Sequence, residues 1–282
     1  MSKYLIIGQG SIGKQVAVGL AALHPVVGVS RSDVKYDADE GERLTHWQQN
    51  ALSLTADKLQ DFTHIAIIVA PSGSAQDRVQ AYQDSYLAIC RHVADMANSL
   101  PNLRQVLFVS STSVYGDDDG ARIDEKTPAV PSSPTAQVLL TAENTIRQAF
   151  GIKSVIIRAS GIYGKNRQRM LRLAACAHMD GVAKTHYTNR IMDVDLVAVL
   201  VRILLDDDPK SLYLASDFCP VPSSQVLAYL CKHLGFEPPK IIQAPVTGKQ
   251  IVSNLPQDWL RFADYQQGYA WILQNLDTAQ EY

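Results

Sequence analysis

A short apolar run, Tyr4-Leu5-Ile6-Ile7, stops at Gly8-Gln9-Gly10-Ser11-Ile12-Gly13 and gives way at once to a helical pattern through Val16, Leu20 and Leu23. Strand, glycine turn and helix in that order are the context in which G-x-G-x-x-G marks a dinucleotide-binding turn. Gly8 serves the tight turn, Gly10 lets the backbone approach a pyrophosphate, and Gly13 allows close packing of helix on strand. With Gln9, Ser11 and Ile12 they place backbone N–H groups at the positive end of the helix, where phosphates are stabilised.

With 282 residues the chain can bury a substantial core, as one large domain or as a domain with a smaller lobe. Its formal net charge of -2 leaves no electrostatic footprint for nucleic acid or an anionic membrane. Cys90, Cys176, Cys219 and Cys231 lie far apart, and no tight His/Cys/Asp cluster suggests a metal, so reduced thiols in a cytoplasmic protein are expected. The first apolar stretch runs straight into the glycine turn and reads as a strand, not a signal peptide. No apolar run reaches the roughly 20 residues of a membrane helix. The partner to expect is a small-molecule substrate, with the chain as a monomer or homodimer.

Apolar runs at Tyr4 to Ile7, Val26 to Val29, His64 to Val69, Val106 to Val109, Ser154 to Ile157 and Leu212 to Leu214 alternate with helical patterns. That alternation predicts a doubly wound α/β fold with a parallel sheet of the Rossmann type. Between the third and fourth runs, Ala75 to Leu100 reads as one long helix whose stripe is Tyr82, Tyr86, Ile89, Val93, Met96 and Leu100. The stripe is expected to pack on the sheet, with a dimer contact along part of it as the alternative. From Asp33 to Asp61 the pattern is poor, and Ala51 to Leu54 is the candidate strand there. Prolines break the chain past Asp206. A dinucleotide-binding lobe of residues 1–165 and 185–217 is therefore expected, with a smaller substrate lobe of residues 166–184 and 218–282 beyond the carboxyl ends of the strands.

The end of the second run bears on cofactor choice. An acidic residue about twenty positions after the glycines takes ribose hydroxyls in NAD-binding chains, whereas an arginine accommodates a 2'-phosphate. Here Val26-Val27-Gly28-Val29 leads into Ser30 and Arg31, and a guanidinium grips phosphate with two N–H groups. NADP is the expected cofactor, with NAD, favoured by Asp33, as the alternative.

The middle of the chain reads Val109-Ser110-Ser111-Thr112-Ser113-Val114-Tyr115-Gly116, then Glu125 with Pro128, Pro131 and Pro134, then Ala142-Glu143. Arg158-Ala159-Ser160-Gly161-Ile162-Tyr163-Gly164 and Asn189-Arg190-Ile191 with Asp195-Leu196 come next, and Ser253-Asn254-Leu255 through Gly268-Tyr269 close the series. This series resembles the sugar-nucleotide epimerase/dehydratase branch of the extended short-chain dehydrogenase/reductase superfamily, in an atypical form. Met192 stands where that branch usually has histidine. The resemblance implies that Ala70, Pro71, Ser110, Ser160, Gly161 and Ile162 border the cofactor, and that Ser111 is the catalytic serine bonding a substrate oxygen.

Redox members of that branch use a tyrosine as general acid/base, with a lysine one helical turn on that lowers its pKa. Counted back from Glu143, those positions are Thr135 and Leu139, and Pro134 to Phe150 holds no tyrosine, lysine, histidine or aspartate. Tyr115 and Tyr163 are the nearest substitutes. Arg158 and Arg190 are candidates for an anionic substrate or for ion pairs, and His186, at the start of an expected strand, for a satisfied histidine. The resemblance, with that pair missing, leaves two functions open. One is an enzyme acting on a sugar-nucleotide-like or other small hydroxyl substrate; the other is a binding protein that has lost hydride chemistry and reports nicotinamide state.

Overall fold

All six expected runs form strands of one parallel sheet in the computed structural model, which describes residues 2–36, 43–71 and 76–276. The strands are β1 (Tyr4–Ile7), β2 (Val26–Ser30), β3 (Leu44–Gln48), β4 (His64–Ile67), β5 (Gln105–Ser111), β6 (Ser154–Ala159) and β7 (Leu212–Ala215). Their spatial order is β7-β6-β5-β4-β1-β2-β3, so the order reverses between β1 and β4. Ligands of open α/β sheets bind at such a switch point. β1 and β4 are buried along their whole length, as their continuous apolar sequences require of strands covered on both faces.

β3 was not expected. Its residues Leu44-Thr45-His46-Trp47-Gln48 are partly exposed throughout, because an edge strand has one neighbour and carries no continuous apolar run. Ala51–Ser53, where the strand was expected, is instead a 3-10 turn whose Asn50 side chain accepts from Leu52 N–H.

Helix α1 (Ser11–Ala21) buries Ile12, Val16, Ala17, Leu20 and Ala21, and Gly19 leaves room for Val201 of α5 (Asp193–Leu205). The long helix after β4, α2, runs over 78–95; Ala75, its expected start, lies outside the described residues. A π turn at Gln83–Leu87 inserts an extra residue and rotates the later turns of the helix. Leu87, Cys90 and Val93 are consequently buried while Tyr82, Tyr86 and Ile89 are half-buried, so the expected stripe is fully buried only from Val93 onward, although Tyr86 still meets Phe108 of β5 with ring centroids 6.0 Å apart. α2 packs on α3 (Pro134–Phe150), which starts at a Ser133 cap accepting from Ala136 N–H, with Pro134 in the first turn.

The chain divides into two compact units. The first comprises residues up to Tyr115, Ala129–Arg158 and Val197–Tyr213; the second comprises Gly116–Pro128, Ala159–Leu196 and the chain from Leu214 onward. Residues 116–128, 159–165, 185–196 and 214–217, expected with the dinucleotide lobe, cluster with the second unit, where Arg122–Ile123 pairs with Gln250–Ile251 and Arg190–Met192 with Gly161–Tyr163. The second unit has its own core, including Tyr163, Leu171, Met192, Leu230, Phe262 and Tyr269. Its helices are α4 (Arg169–Asp180), α6 (Ser223–Leu234) and α7 (Tyr265–Gln274). Among the described residues no helix is long and apolar enough to cross a membrane, and no group of three or more His, Cys, Asp or Glu could hold a metal ion.

Candidate functional site

In the first unit the glycine turn separates packing from open space. Gly8 has φ +99°, and a Cβ there would strike the Ile68 carbonyl. A Cβ on Gly13 would strike the carbonyl oxygen of Gly8. Gly10 differs: its backbone is extended and a Cβ would meet no atom within 4 Å. It caps α1 without a side-chain hydrogen bond, and the first turn, with exposed Ser11 and buried Ile12, holds no acidic residue. The Gln9 side chain turns back, donating to Ile6 O at 2.9 Å and accepting from Tyr36 Oη at 2.6 Å.

At the end of β2, Ser30 Oγ donates to Ser32 O and bonds His46 Nε2, each at 2.8 Å. Arg31 is exposed, and among the described residues its guanidinium has no partner. Past β4, Ala70 is exposed and Pro71 half-buried.

The carboxyl ends of β5 and β6 are tied through α3. Ser110 Oγ donates to Glu143 Oε1 at 2.7 Å, and Arg158 clamps the same carboxylate with Nε (3.1 and 3.2 Å) and Nη2 (2.7 Å). Arg158 Nη1 donates to Tyr115 Oη at 2.6 Å. Glu143 and Tyr115 are 0% exposed and Arg158 3%. Burial pulls the Arg158 pKa down, but the Glu143 hydrogen bonds and charge more than offset it, leaving it above its ordinary value. Burial, then Glu143, pushes the Cys90 thiol up. Ser110 thus has its hydroxyl committed inside the protein, Tyr115 is a packed partner of Arg158, and Arg158 is part of a buried ion pair.

Ser111 is half-buried at the end of β5, where its Oγ accepts from Ser113 N–H at 3.1 Å and caps a 3-10 turn. It satisfies a backbone group while its own proton stays available to donate. Thr135 lies in the first turn of α3, beside the Ser133 cap at 3.3 Å, and Leu139 is 1% exposed in the core.

The second unit carries the other expected residues. Ser160 is buried, donating its N–H to Ala215 O, and among the described residues its Oγ has no partner; Gly161 is exposed and Ile162 half-buried. Tyr163 is buried against Tyr269, ring centroids 4.8 Å apart, and Gly268 is the residue whose missing side chain makes room for its hydroxyl. Burial raises its pKa, so it is a packed residue and a poor base. Arg190 is buried, donates to Thr188 O and Cys219 O, and lies over the Tyr265 ring. Near it Asp217, 1% exposed, accepts from Cys219 N–H, and its Oδ2 has no partner among the described residues. Burial pushes Asp217 up to about 7 against the pull of Arg190. His186 is exposed and bonds Thr247 Oγ1 at 2.9 Å. Asp195 receives the N–H groups of Arg261 and Phe262, and Asn254 receives that of Leu214.

Asp217, Tyr36 and His46 were not foreseen from the sequence. The signal for Asp217 was a carboxylate placed just after the run Leu212 to Leu214; Tyr36 and His46 gave none, lying in the aperiodic stretch.

The family model for the NAD dependent epimerase/dehydratase family matches residues 4–200. The chain belongs to that family. This epimerase/dehydratase family member is 25% identical to Protein YeeZ of Escherichia coli over 262 residues, 88% of the chain and 90% of YeeZ. A Methylobacillus flagellatus structure assigned as an NAD-dependent epimerase/dehydratase is similar to it at TM-score 0.77 and 28% identity, over 97% of this chain and 98% of that one. The UDP-glucuronic acid 4-epimerase of Bacillus cereus, solved in complex with NAD, shares the fold at TM-score 0.74 and 19% identity, covering 96% of this family member and 99% of the epimerase.

Proposed function

We propose that this family member binds a nicotinamide dinucleotide at the glycine turn, NADP in preference to NAD, and holds a sugar-nucleotide-like or other small hydroxyl substrate by an oxygen at Ser111. The observation that carries the reading is Gly10. Packing demands Gly8 and Gly13, whereas the space above Gly10 is open and borders a helix N-terminus with no acidic residue in its first turn. A pyrophosphate fits that space by shape and by sign of charge. The bound dinucleotide supplies hydride acceptance and donation; the chain supplies orientation. Gly10 would lie against the phosphates, Arg31 would pair with a 2'-phosphate, and the Ser111 hydroxyl would donate to a carbinol or carbonyl oxygen of the substrate. Ala70, Pro71, the backbone at Ser110, and Ser160, Gly161 and Ile162 would border the cofactor. The NAD held by the Bacillus cereus epimerase supports a dinucleotide in general; the exposed Arg31, without a partner among the described residues, supports NADP.

A second reading draws on a specific observation. Leu139 is buried where the family's lysine would stand, and both substitute tyrosines are packed away. This favours a protein that has lost hydride chemistry and reports nicotinamide state to a partner.

Titration calorimetry with NADPH and NADH tests the cofactor assignment. NADPH should bind more tightly, and Arg31→Asp should remove about 1.5 to 3 kcal/mol of the difference. Equal affinities in the unaltered protein would sink the NADP assignment.

A further inference from the structure

The turn that carries Arg31 is pinned on both sides, while among the described residues its guanidinium has no partner. On one side, Ser30 Oγ has a single proton and gives it to Ser32 O at 2.8 Å. The 2.8 Å bond to His46 must then run from imidazole to hydroxyl, so Nε2 of His46 carries a proton. On the other side, Gln48 Nε2 donates to Arg31 O at 3.4 Å. His46 stands on β3 in register with Gly28 of β2. Its side chain is 9% exposed, its Nδ1 lies 3.9 Å from Asp33 Oδ1, and its ring meets the Tyr36 ring at 77° with centroids 6.3 Å apart. Tyr36 in turn donates to Gln9 of the glycine turn. A continuous line of contacts therefore runs from the glycine turn through Tyr36 and His46 to the turn of Ser30, Arg31 and Ser32.

A guanidinium grips a phosphate well when its backbone is already ordered, because less entropy is lost on binding. We propose that His46 is a positioning residue for the cofactor's 2'-phosphate: by donating to Ser30 it holds the turn in the shape that points Arg31 at a phosphate monoester. This rests on the NADP reading above.

The test measures dissociation constants for NADPH and NADH in the unaltered protein, in His46→Leu, which removes the donor, and in His46→Gln, whose amide N–H reaches a similar position. The proposal expects His46→Leu to weaken NADPH about tenfold while NADH changes less than about twofold, with His46→Gln regaining most of the loss. If His46→Leu does not fold, Ser30→Ala, which removes this bond together with the one to Ser32 O, must also weaken NADPH and leave NADH within about twofold. Equal weakening of both cofactors, no weakening, or no recovery in His46→Gln overturns the positioning role. Equal NADPH and NADH affinities in the unaltered protein overturn the NADP reading and this role with it. A preference that persists undiminished in His46→Leu overturns the role alone.

Discussion

Arg158 and Glu143 form a bidentate ion pair sealed from water, joining the end of β6 to the middle of α3, with Ser110 of β5 on the same carboxylate. Two charges taken out of water repay their desolvation only with good geometry and further hydrogen bonds, and here Ser110 donates to the carboxylate while Tyr115 accepts from the guanidinium. Through Ser110 the pair also ties in the end of β5, where Ser111 is the next residue.

Removing one partner leaves the other charge stranded. Glu143→Gln or Arg158→Met should cost about 3 to 5 kcal/mol each, and the double change Glu143→Gln with Arg158→Met should cost clearly less than the sum. Urea unfolding of the three variants measures this. Additive losses would mean that the two residues act independently.

The glycine turn predicts opposite outcomes at neighbouring positions. Gly13→Ala drives a Cβ into the Gly8 carbonyl, so it should lower stability by about 1 to 3 kcal/mol. Gly10→Val meets open space, so the melting temperature should stay close to that of the unaltered protein while NADPH binding falls steeply. Thermal melts with calorimetry separate the two effects. Undiminished binding in Gly10→Val would place the phosphates elsewhere.

Six of the seven sheet strands were legible because parallel strands covered on both faces are continuous apolar runs, and the glycine turn was legible because strand and helix flank it closely. β3 was illegible because an edge strand such as Leu44–Gln48 carries mixed residues. The long helix was found but its stripe was misphased, since no periodicity announces a π turn at Gln83–Leu87. Glu143 and Arg158 were each singled out, yet their pairing is a tertiary contact between residues on different elements. Asp217 was missed because its character comes from burial, which a sequence does not display.

Two buried groups should move stability with pH in opposite directions. His64 stacks on Tyr4 with ring centroids 4.4 Å apart, and burial lowers its pKa from 6.5 to about 4. The unfolded chain therefore binds the extra proton first. The contribution is fully present above about pH 6.5 and is lost as pH falls towards 4. His64→Phe should flatten the acid side of the stability curve in urea titrations between pH 4 and 7. An unchanged slope would exclude His64 as its source.

Asp217 runs the other way. Its carboxyl is raised from 3.8 to about 7, so the folded state holds the proton and the contribution is lost as pH rises from about 4 through 7. Asp217→Asn keeps an oxygen for Cys219 N–H and carries no charge to bury. The variant should gain melting temperature relative to the unaltered protein at pH 8 and little or none at pH 4. An equal change at both pH values would show that the charge of Asp217 is not what costs stability.

Thr135 and Leu139 stand four residues apart on α3. With neither tyrosine nor lysine on α3, the unaltered protein should show little or no hydride transfer with simple alcohols, aldehydes or common sugar nucleotides, because no exposed group on that helix can move a proton near neutral pH. Thr135→Tyr with Leu139→Lys restores the i, i+4 arrangement that resembles the family's pair. Leu139 is 1% exposed, so the lysine enters packed core and should cost about 2 to 5 kcal/mol, with Thr135→Tyr alone much milder at a first-turn position of the helix. Loss of NADPH absorbance against a substrate panel reads the activity, with Ser111→Ala as control and urea unfolding as the check on folding. A folded double variant should gain weak turnover that Ser111→Ala removes. Robust turnover by the unaltered protein that survives Ser111→Ala would instead assign the chemistry to another group and remove Ser111 from the substrate.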